Sequence, residues 1–285
     1  TDESQGTHSS ACPSISADGQ HVAFASSSQT FGLPNPGFEQ RAYVRDRLAG
    51  TTDLVSVTQT GAGAGGSCPD MSPDARFVGF VSDSTDLTGD PDTNGLNDAF
   101  LRDRTLGVTE RVSVGTGGIE LTGPSFPGLV WISGNGRYAV FPVTAVTSVP
   151  GSGNPLHGQV FVHDRLTKTT DRVNVGPGGT TGQAGAADIS ADGHVIVFES
   201  DGSDLIGAGN DTNNDFDVFV RRDDQAAAAA VDTLLFPDGA LDDTVLEVLD
   251  ASQPIPILLR VKVPLLCYAF QVLKNMPARD CLQRV

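Results

Sequence analysis

Residues 13–24 read PSISADGQHVAF, and the pattern returns as PDMSPDARFVGF at 69–80, VWISGNGRYAVF at 130–141 and ADISADGHVIVF at 187–198. Each copy closes on an aromatic residue: Phe24, Phe80, Phe141 and Phe198. A second echo follows: AYVRDRLAGTTDLVSV from Ala42, AFLRDRTLGVTERVSV from Ala99, QVFVHDRLTKTTDRVNV from Gln159 and a shortened DVFVRRDD from Asp217. Self-similarity at a fixed period of about 60 residues is the mark of a repeat architecture, in which each unit buries its apolar face only against its neighbours.

Each unit decodes as strand, tight turn, strand, variable loop, strand, turn, strand. Ala-Asp-Gly at 17–19 and 191–193 supplies turn chemistry between short runs of alternating apolar residues. Val22 and Phe24 then point to one face of their strand and Ala23 to the other. The recurring aromatics, including Tyr43, Phe100, Phe161 and Phe219 in the third strands, are read as packing between units rather than as a cofactor site. The expected fold is all-β: a β-propeller of four-stranded antiparallel blades, with repeats at about 10–60, 66–115, 127–176 and 184–231. Segment 232–250 carries two further short strand-like runs around Pro237-Asp238-Gly239, and starts a fifth blade or closes the ring.

The stacked motif, S-x-D-G-x-x-V-A-F followed by F-V-x-D-R-x-T-G-x-T-x-R-V-S, resembles the TolB-like β-propeller repeat family, itself similar to WD-like propeller repeats. The resemblance covers about residues 10–231. It implies a propeller fold, and a place among exported bacterial binding and scaffold proteins or propeller modules attached to hydrolases; fold alone does not assign activity. Repeat 3 departs from the pattern with Gly134-Asn135-Gly136 at its first turn. Repeat 4 places Arg222 where Asp46, Asp103 and Asp164 recur, followed by an alanine run at Ala226 to Ala230 that reads as a linker or an eroded strand.

Composition agrees with many short strands: 33 Gly and 17 Pro favour turns over long helices. The net charge of −17 disfavours nucleic acid and anionic lipid as partners, since both need Lys and Arg for neutralisation. No apolar run reaches the length of about 18 residues that spans a bilayer, so no membrane insertion is expected. The chain starts at Thr1 with neither a leader nor an initiator Met, which reads as a mature or trimmed product: removal of a secretory leader and an arbitrary chain boundary fit this start equally, and a secreted or periplasmic protein is the expectation. Residues 251–285 differ from the rest, with Arg260, Lys262, Lys274, Arg279 and Arg284 against the single acid Asp280, and form a separate C-terminal tail after a propeller spanning 1–250.

The acidic loop between second and third strands carries the clearest chemistry. Repeat 2 presents Asp90, Asp92, Asn94 and Asp98; repeat 4 presents Asp211, Asn213 and Asp217 at matching spacing. Hard oxygen donors at alternate positions around a sharp bend are what Ca²⁺ requires to gather six to eight ligands. The start of the repeat 2 loop is EF-hand-like, but Leu101 stands where the bidentate Glu of that motif belongs, so another segment has to complete the shell. Asp83 and Asp86, or Asp201 and Asp204 in repeat 4, are the sequence candidates. The competing reading is that these acids cap turns and solvate loops. Repeats 1 and 3 carry Arg41 and Gln159 in place of Asp98 and Asp217, which confines such sites to alternate blades.

Other chemistries find less support. His8, His21, His157, His163 and His194 are scattered without metal-ligand spacing, and neither a G-x-S-x-G elbow nor a Gly-rich phosphate loop is present. Cys12 and Cys68 occupy equivalent positions, each directly before Pro. A bond between them suits an exported protein. A blade spacing beyond about 7 Å between Cα atoms would forbid it, and buried free thiols are then the alternative. Cys267 with Cys281 is the complementary pair. The resulting expectation is an exported propeller that binds or scaffolds a protein or polysaccharide, with Ca²⁺ stiffening its loops. The alternative is an extracellular carbohydrate-active hydrolase or lyase with an acidic site at the channel mouth.

Overall fold

The computed structural model describes residues 6–31, 34–121, 129–143, 158–176, 182–203, 205 and 215–222, and the backbone of 246–248. Blade 1 holds β1 (Ser10–Ile15), β2 (His21–Ser26), β3 (Arg41–Asp46) and β4 (Thr51–Leu54). Blade 2 holds β5 (Ser67–Met71), β6 (Phe77–Ser82), β7 (Asp98–Asp103) and β8 (Val108–Arg111). Blade 3 holds β9 (Trp131–Ile132), β10 (Tyr138–Val143), β11 (Gln159–Asp164) and β12 (Thr169–Arg172). Blade 4 holds β13 (Ala184–Ile189), β14 (Val195–Ser200), β15 (Asp217–Arg222) and β16 (Leu246–Val248). Every blade is a four-stranded antiparallel meander in chain order, and β16 pairs with β15 as the fourth strand of blade 4. Residues 249–285, which contain the basic tail, the alanine run at 226–230 and Pro237-Asp238-Gly239 lie outside the described residues.

The Ser-x-Asp turn is built identically in all four blades. Ser16, Ser72, Ser133 and Ser190 each donate their hydroxyl to the side-chain oxygen two residues on, at Asp18, Asp74, Asn135 and Asp192. The same hydroxyls accept the N–H groups of His21, Phe77, Tyr138 and Val195. One short side chain thereby satisfies backbone donors that the tight turn leaves unpaired, which fixes where the second strand starts and which face its residues take. Between third and fourth strands, Asp46, Asp103 and Asp164 accept the N–H groups of the residues two and three positions further on. Repeat 3 keeps its turn despite Asn135, because the amide oxygen accepts as the carboxylate does.

Packing between blades follows from that register. In each blade an aromatic pair stacks across the second and third strands: Phe24 with Tyr43, Phe80 with Phe100, Phe141 with Phe161, and Phe198 with Phe219, at centroid separations of 5.7, 5.8, 6.3 and 5.5 Å. The pair of each later blade sits on the aliphatic face of the blade before it. Phe80 and Phe100 cover Ala23, Ala42 and Val44; Phe141 and Phe161 cover Ala99 and Leu101; Phe198 and Phe219 cover Val140 and Val160. Each buried ring contributes about 1.5–3 kcal/mol of transfer free energy, so the stack rests mainly on these pairs.

The first strands line up beside one another, with β5 against both β1 and β9, and β13 against β9. Asp70 on β5 ties three blades, accepting the Ser14 hydroxyl at 3.2 Å and the Ile132 N–H at 3.2 Å. Cys12 and Cys68 lie at bulges of β1 and β5, in left-handed backbone conformations, with Cα atoms 4.8 Å apart and their sulfurs bonded. The bulge supplies what a regular strand would not: it turns both side chains toward the neighbouring blade and brings the pair inside the disulfide limit.

Gly136 at the turn of blade 3 has φ +67°, and a Cβ there would lie 2.4 Å from the Phe77 ring of blade 2. Gly19, its counterpart in blade 1, has φ +70° with nothing within 4 Å of a Cβ. Gly136→Ala is expected to lower stability by about 2–4 kcal/mol, combining overpacking with backbone strain. Gly19→Ala should cost only the backbone share of about 1 kcal/mol. Urea midpoints of the two variants check this, and equal losses would remove the interblade contact from the explanation. Cys12→Ser/Cys68→Ser should lose about 2–5 kcal/mol, since the bond closes a loop of 56 residues. An unchanged urea midpoint in that double variant would mean the bond does not form.

Candidate metal centre

The strand directions place the 83–97 connection and the 112–121 connection of blade 2 at the same end of the sheet, opposite the Ser-x-Asp turns. Within the first of these, Asp92 Oδ1 accepts the N–H groups of Asn94 and Gly95 at 3.0 and 2.9 Å, closing a turn in which Gly95 has φ +65°. Asn94 Oδ1 accepts the Leu96 N–H, and its amide donates to the Leu121 carbonyl at 2.9 Å. Thr93 donates its N–H to Glu120 Oε2 at 2.9 Å, and its hydroxyl bonds to the same oxygen. The acidic loop is therefore strapped to the following connection, where an isolated bridge between Val114 and Glu120 folds Glu120 back over the blade.

Asp98 opens β7 and is 2% exposed. Its Oδ1 accepts the Ser113 hydroxyl at 2.7 Å, and its Oδ2 lies 3.3 Å from Arg111 Nε. Neither Oδ2 nor Nε has a well-formed hydrogen bond, so this contact is an ion pair without directional bonding. Arg111 Nη1 pairs with Glu120 Oε1 and reaches the Pro91 carbonyl at 3.4 Å. One carboxylate oxygen from each of Asp92, Asp98 and Glu120 lies within 4.8 Å of the others. Two oxygens on opposite sides of one Ca²⁺ at about 2.4 Å stand about 4.8 Å apart, so the spacing fits a single hard cation.

Three carboxylates share this space with one guanidinium, leaving an excess of negative charge in a poorly solvated place. The consequence falls on Asp98, whose carboxyl is pushed up to about 6. Burial is the main cause, and the charges of Glu120 and Asp92 add to it against the opposing pull of Ser113 and Arg111. Such a group gains from a divalent cation, which would neutralise the surplus without needing a further hydrogen-bond donor.

Among the residues expected from sequence, the fold brings Asp92 and Asp98 together and adds Glu120, which sequence reading did not single out. Asp90 is exposed and outside the group, and the Asn94 side chain is spent on the Leu121 strap. Asp83 and Asp86 are exposed and also outside it. In blade 4, Asp217 starts β15 opposite Ser200, and Asp201 accepts the Gln183 N–H; Asp204, Asp211 and Asn213 lie outside the described residues. The positions equivalent to Asp98 are buried polar in blades 1 and 3 as well. Arg41 there donates to the Pro34 carbonyl, and Gln159 accepts from the Asn174 amide. A cation, an amide or an acid thus fills one recurring polar slot. Of the histidines, His163 is buried against the Thr170 hydroxyl at 2.8 Å, and burial lowers its pKa; among the described residues none joins a group of metal-ligating side chains.

Four-stranded antiparallel sheets stacked through repeated aromatic pairs define a β-propeller protein, here with an acidic centre in blade 2. Family models and curated protein sequences give no match to the chain. Among solved structures it is similar to TolB from Acinetobacter baumannii, with 14% identity and a TM-score of 0.45 over 85% of this chain and 43% of that one. Putative TolB from Agrobacterium tumefaciens gives 14% identity and 0.47 over 77% and 60%. The propeller domain of the Trilobed protease from Pyrococcus furiosus gives 8% identity and 0.45 over 85% and 57%. The chain therefore spans less than two thirds of each of these structures. Among the described residues no helix is long and apolar enough to cross a membrane.

With divalent cations chelated, Asp98 should titrate near pH 6, against about 3.9 in the unfolded chain. Because the folded state holds this proton more tightly, the stability it contributes is full below about pH 4 and lost as pH rises through 6. Asp98→Asn should flatten that decline relative to the parent chain in urea unfolding between pH 4 and 7. A carboxyl ¹³C titration of Asp98 with its midpoint below 4 would contradict the burial argument.

Proposed function

We propose that this chain is an exported binding or scaffold propeller that offers its long connections, on the face opposite the Ser-x-Asp turns, to a protein or polysaccharide. Ca²⁺ held by Asp92, Asp98 and Glu120 stiffens that face. The observation that carries this reading is the convergence of three carboxylates from two connections and a strand end onto one span of 4.8 Å. A cation there would pin the 90–98 loop to the 112–121 connection, so that a ligand meets a surface already ordered and loses less entropy on binding. The burial of Asp98 suits a structural ion better than acid and base work on a polymer, which needs carboxyl groups open to substrate.

The Cys12–Cys68 bond is in keeping with an oxidising compartment, hence with a secreted or periplasmic protein. The acidic balance, −17 over the chain, argues for partners other than nucleic acid. This reading takes 1–250 as the propeller and 251–285 as a tail outside it. The repeated spacing of Asp211, Asn213 and Asp217 makes two ions per chain the expected stoichiometry.

Thermal unfolding of EDTA-treated protein tests the proposal. Ca²⁺ at a hundred times its dissociation constant should stabilise by about 2.7 kcal/mol per site, with Mg²⁺ far less effective at a site built for a larger ion. Glu120→Gln should remove the blade 2 share of the shift, measured against the variant's own ion-free melting temperature, which falls because Arg111 loses one of its paired carboxylates. No shift at millimolar Ca²⁺ would return the acidic loop to turn chemistry, with Arg111 as its only counter-charge.

A further inference from the structure

The 112–121 connection, which brings Glu120 to the acidic centre, is a small hairpin whose direction its own sequence does not fix. Val114 bridges Glu120, and the Gly115 N–H closes on the Ile119 carbonyl at 2.7 Å. The tip between them reads Gly115-Thr116-Gly117-Gly118, with Gly117 and Gly118 at φ +84° and +81° and nothing within 4 Å of a Cβ at either. Glycine surrenders more conformational freedom on ordering than any other residue, so contacts outside the hairpin have to fix how it presents Glu120.

Those contacts come from blade 3. Thr170 on β12 donates its hydroxyl to the carbonyl of Val114, the residue that bridges Glu120. The Thr170 N–H donates to the Thr116 hydroxyl at 3.0 Å, and that hydroxyl bonds back to the Thr170 carbonyl at 3.4 Å. The Gly117 N–H reaches the Lys168 carbonyl at 3.1 Å. Because the Thr170 hydroxyl gives its proton to a carbonyl, it accepts from His163 Nδ1 at 2.8 Å, and the imidazole carries its proton on that nitrogen. Thr170 is 6% exposed and His163 1%, so this hydroxyl is committed to buried partners rather than shared with water.

Blade 3 departs from the repeat at this contact. His163 stands where Arg45 and Arg102 stand, and Lys168 where Gly50 and Gly107 stand. Arg45 and Arg102 reach Thr52 and Thr109, the counterparts of Thr170, which stay partly exposed. Lys168 keeps the left-handed backbone of those glycines at φ +59°, a costly conformation for a residue with a side chain, and its ammonium pairs with Glu110 of blade 2 at 3.2 Å. Given the Ca²⁺ centre proposed above, on which this rests, we infer that Thr170 is a positioning residue for it. Through Val114 it holds Glu120 at the distance from Asp92 and Asp98 that one cation spans, so blade 3, which adds no carboxylate to the group, sets the affinity of the centre in blade 2. Metal ligands depend on their outer hydrogen-bond partners in this way. The coupling is reciprocal, so the ion in turn tightens the junction between blades 2 and 3.

The test follows the Asp98 carboxyl ¹³C resonance of the EDTA-treated chain as Ca²⁺ is added, which reads the blade 2 centre apart from any site in blade 4. Thr170→Val, which keeps the side-chain shape and deletes the hydroxyl, should weaken Ca²⁺ binding about tenfold or more, and Thr170→Ser should restore affinity near that of the parent. Thr116→Val, at an exposed position that puts folding at little risk, should weaken binding in the same direction and decides the matter if Thr170→Val does not fold. In the parent, Ca²⁺ should slow hydrogen exchange at the Gly117 and Thr170 amides, and Glu120→Gln should abolish that slowing. Parent-like Ca²⁺ affinity in the folded threonine variants would overturn the inference while leaving the Ca²⁺ centre standing, even if their ion-free melting temperatures fell, because a merely structural threonine gives that result. An Asp98 resonance in the parent that ignores millimolar Ca²⁺ would overturn both.

Discussion

The aromatic pair stacked across the second and third strands of each blade is the interaction on which the architecture depends. A lone four-stranded meander of this size exposes both faces to water and cannot bury enough apolar surface to offset its chain entropy. Setting Phe80 and Phe100 into the alanine and valine face of blade 1 solves this for two blades at once and repeats the problem one blade further on. The stack is thus additive and directional, with an aromatic front and an aliphatic back on every blade. Small residues at Ala23, Ala42 and Ala99 keep the back shallow enough for two rings. The glycine turns let the next blade approach its neighbour's leading ring without a Cβ in the way.

Around that apolar stack the polar chemistry divides between two faces. On one, the Ser-x-Asp and Asp-Arg turns are short and nearly invariant, because their side chains are committed to backbone donors. On the other, connections differ in length and charge from blade to blade, so specificity is free to accumulate there. Blade 2 shows how such a loop is held. Thr93 and Asn94 are strapped to Glu120 and Leu121, and Arg111 lies beneath with its guanidinium between Asp98 and Glu120. Burial is what chiefly raises the Asp98 pKa, with the charges of Glu120 and Asp92 adding to it, and one guanidinium against three carboxylates leaves a surplus that a second cation would neutralise.

Much of this was legible in the chain itself. The repeat places Phe24, Phe80, Phe141 and Phe198 in one register, and a serine followed two residues on by Asp or Asn marks each first turn, because both depend on neighbours within about ten residues along the sequence. The acidic loop was visible for the same reason, through the alternation of Asp92, Asn94 and Asp98. Glu120 was not: it joins the centre from the next connection, through a bridge between Val114 and Glu120 that carries no strong local signal. Nor did spacing reveal that Asn94 spends its amide on Leu121 while Asp90 stays in solvent.

The cysteines mark the same boundary. Equivalent positions in the repeat predict that Cys12 and Cys68 lie on adjacent blades, but only the bulges in β1 and β5 decide that they meet at 4.8 Å. The sequence by itself determined the blade: strand order, turn chemistry, and which residues face in, all consequences of period-two alternation and short-range hydrogen bonding. Only the tertiary structure decided which oxygens share a cation-sized space, which thiols meet, and which aliphatic face each aromatic pair covers. Those depend on how separately folded units stack, and that geometry is set by packing between residues far apart in the chain.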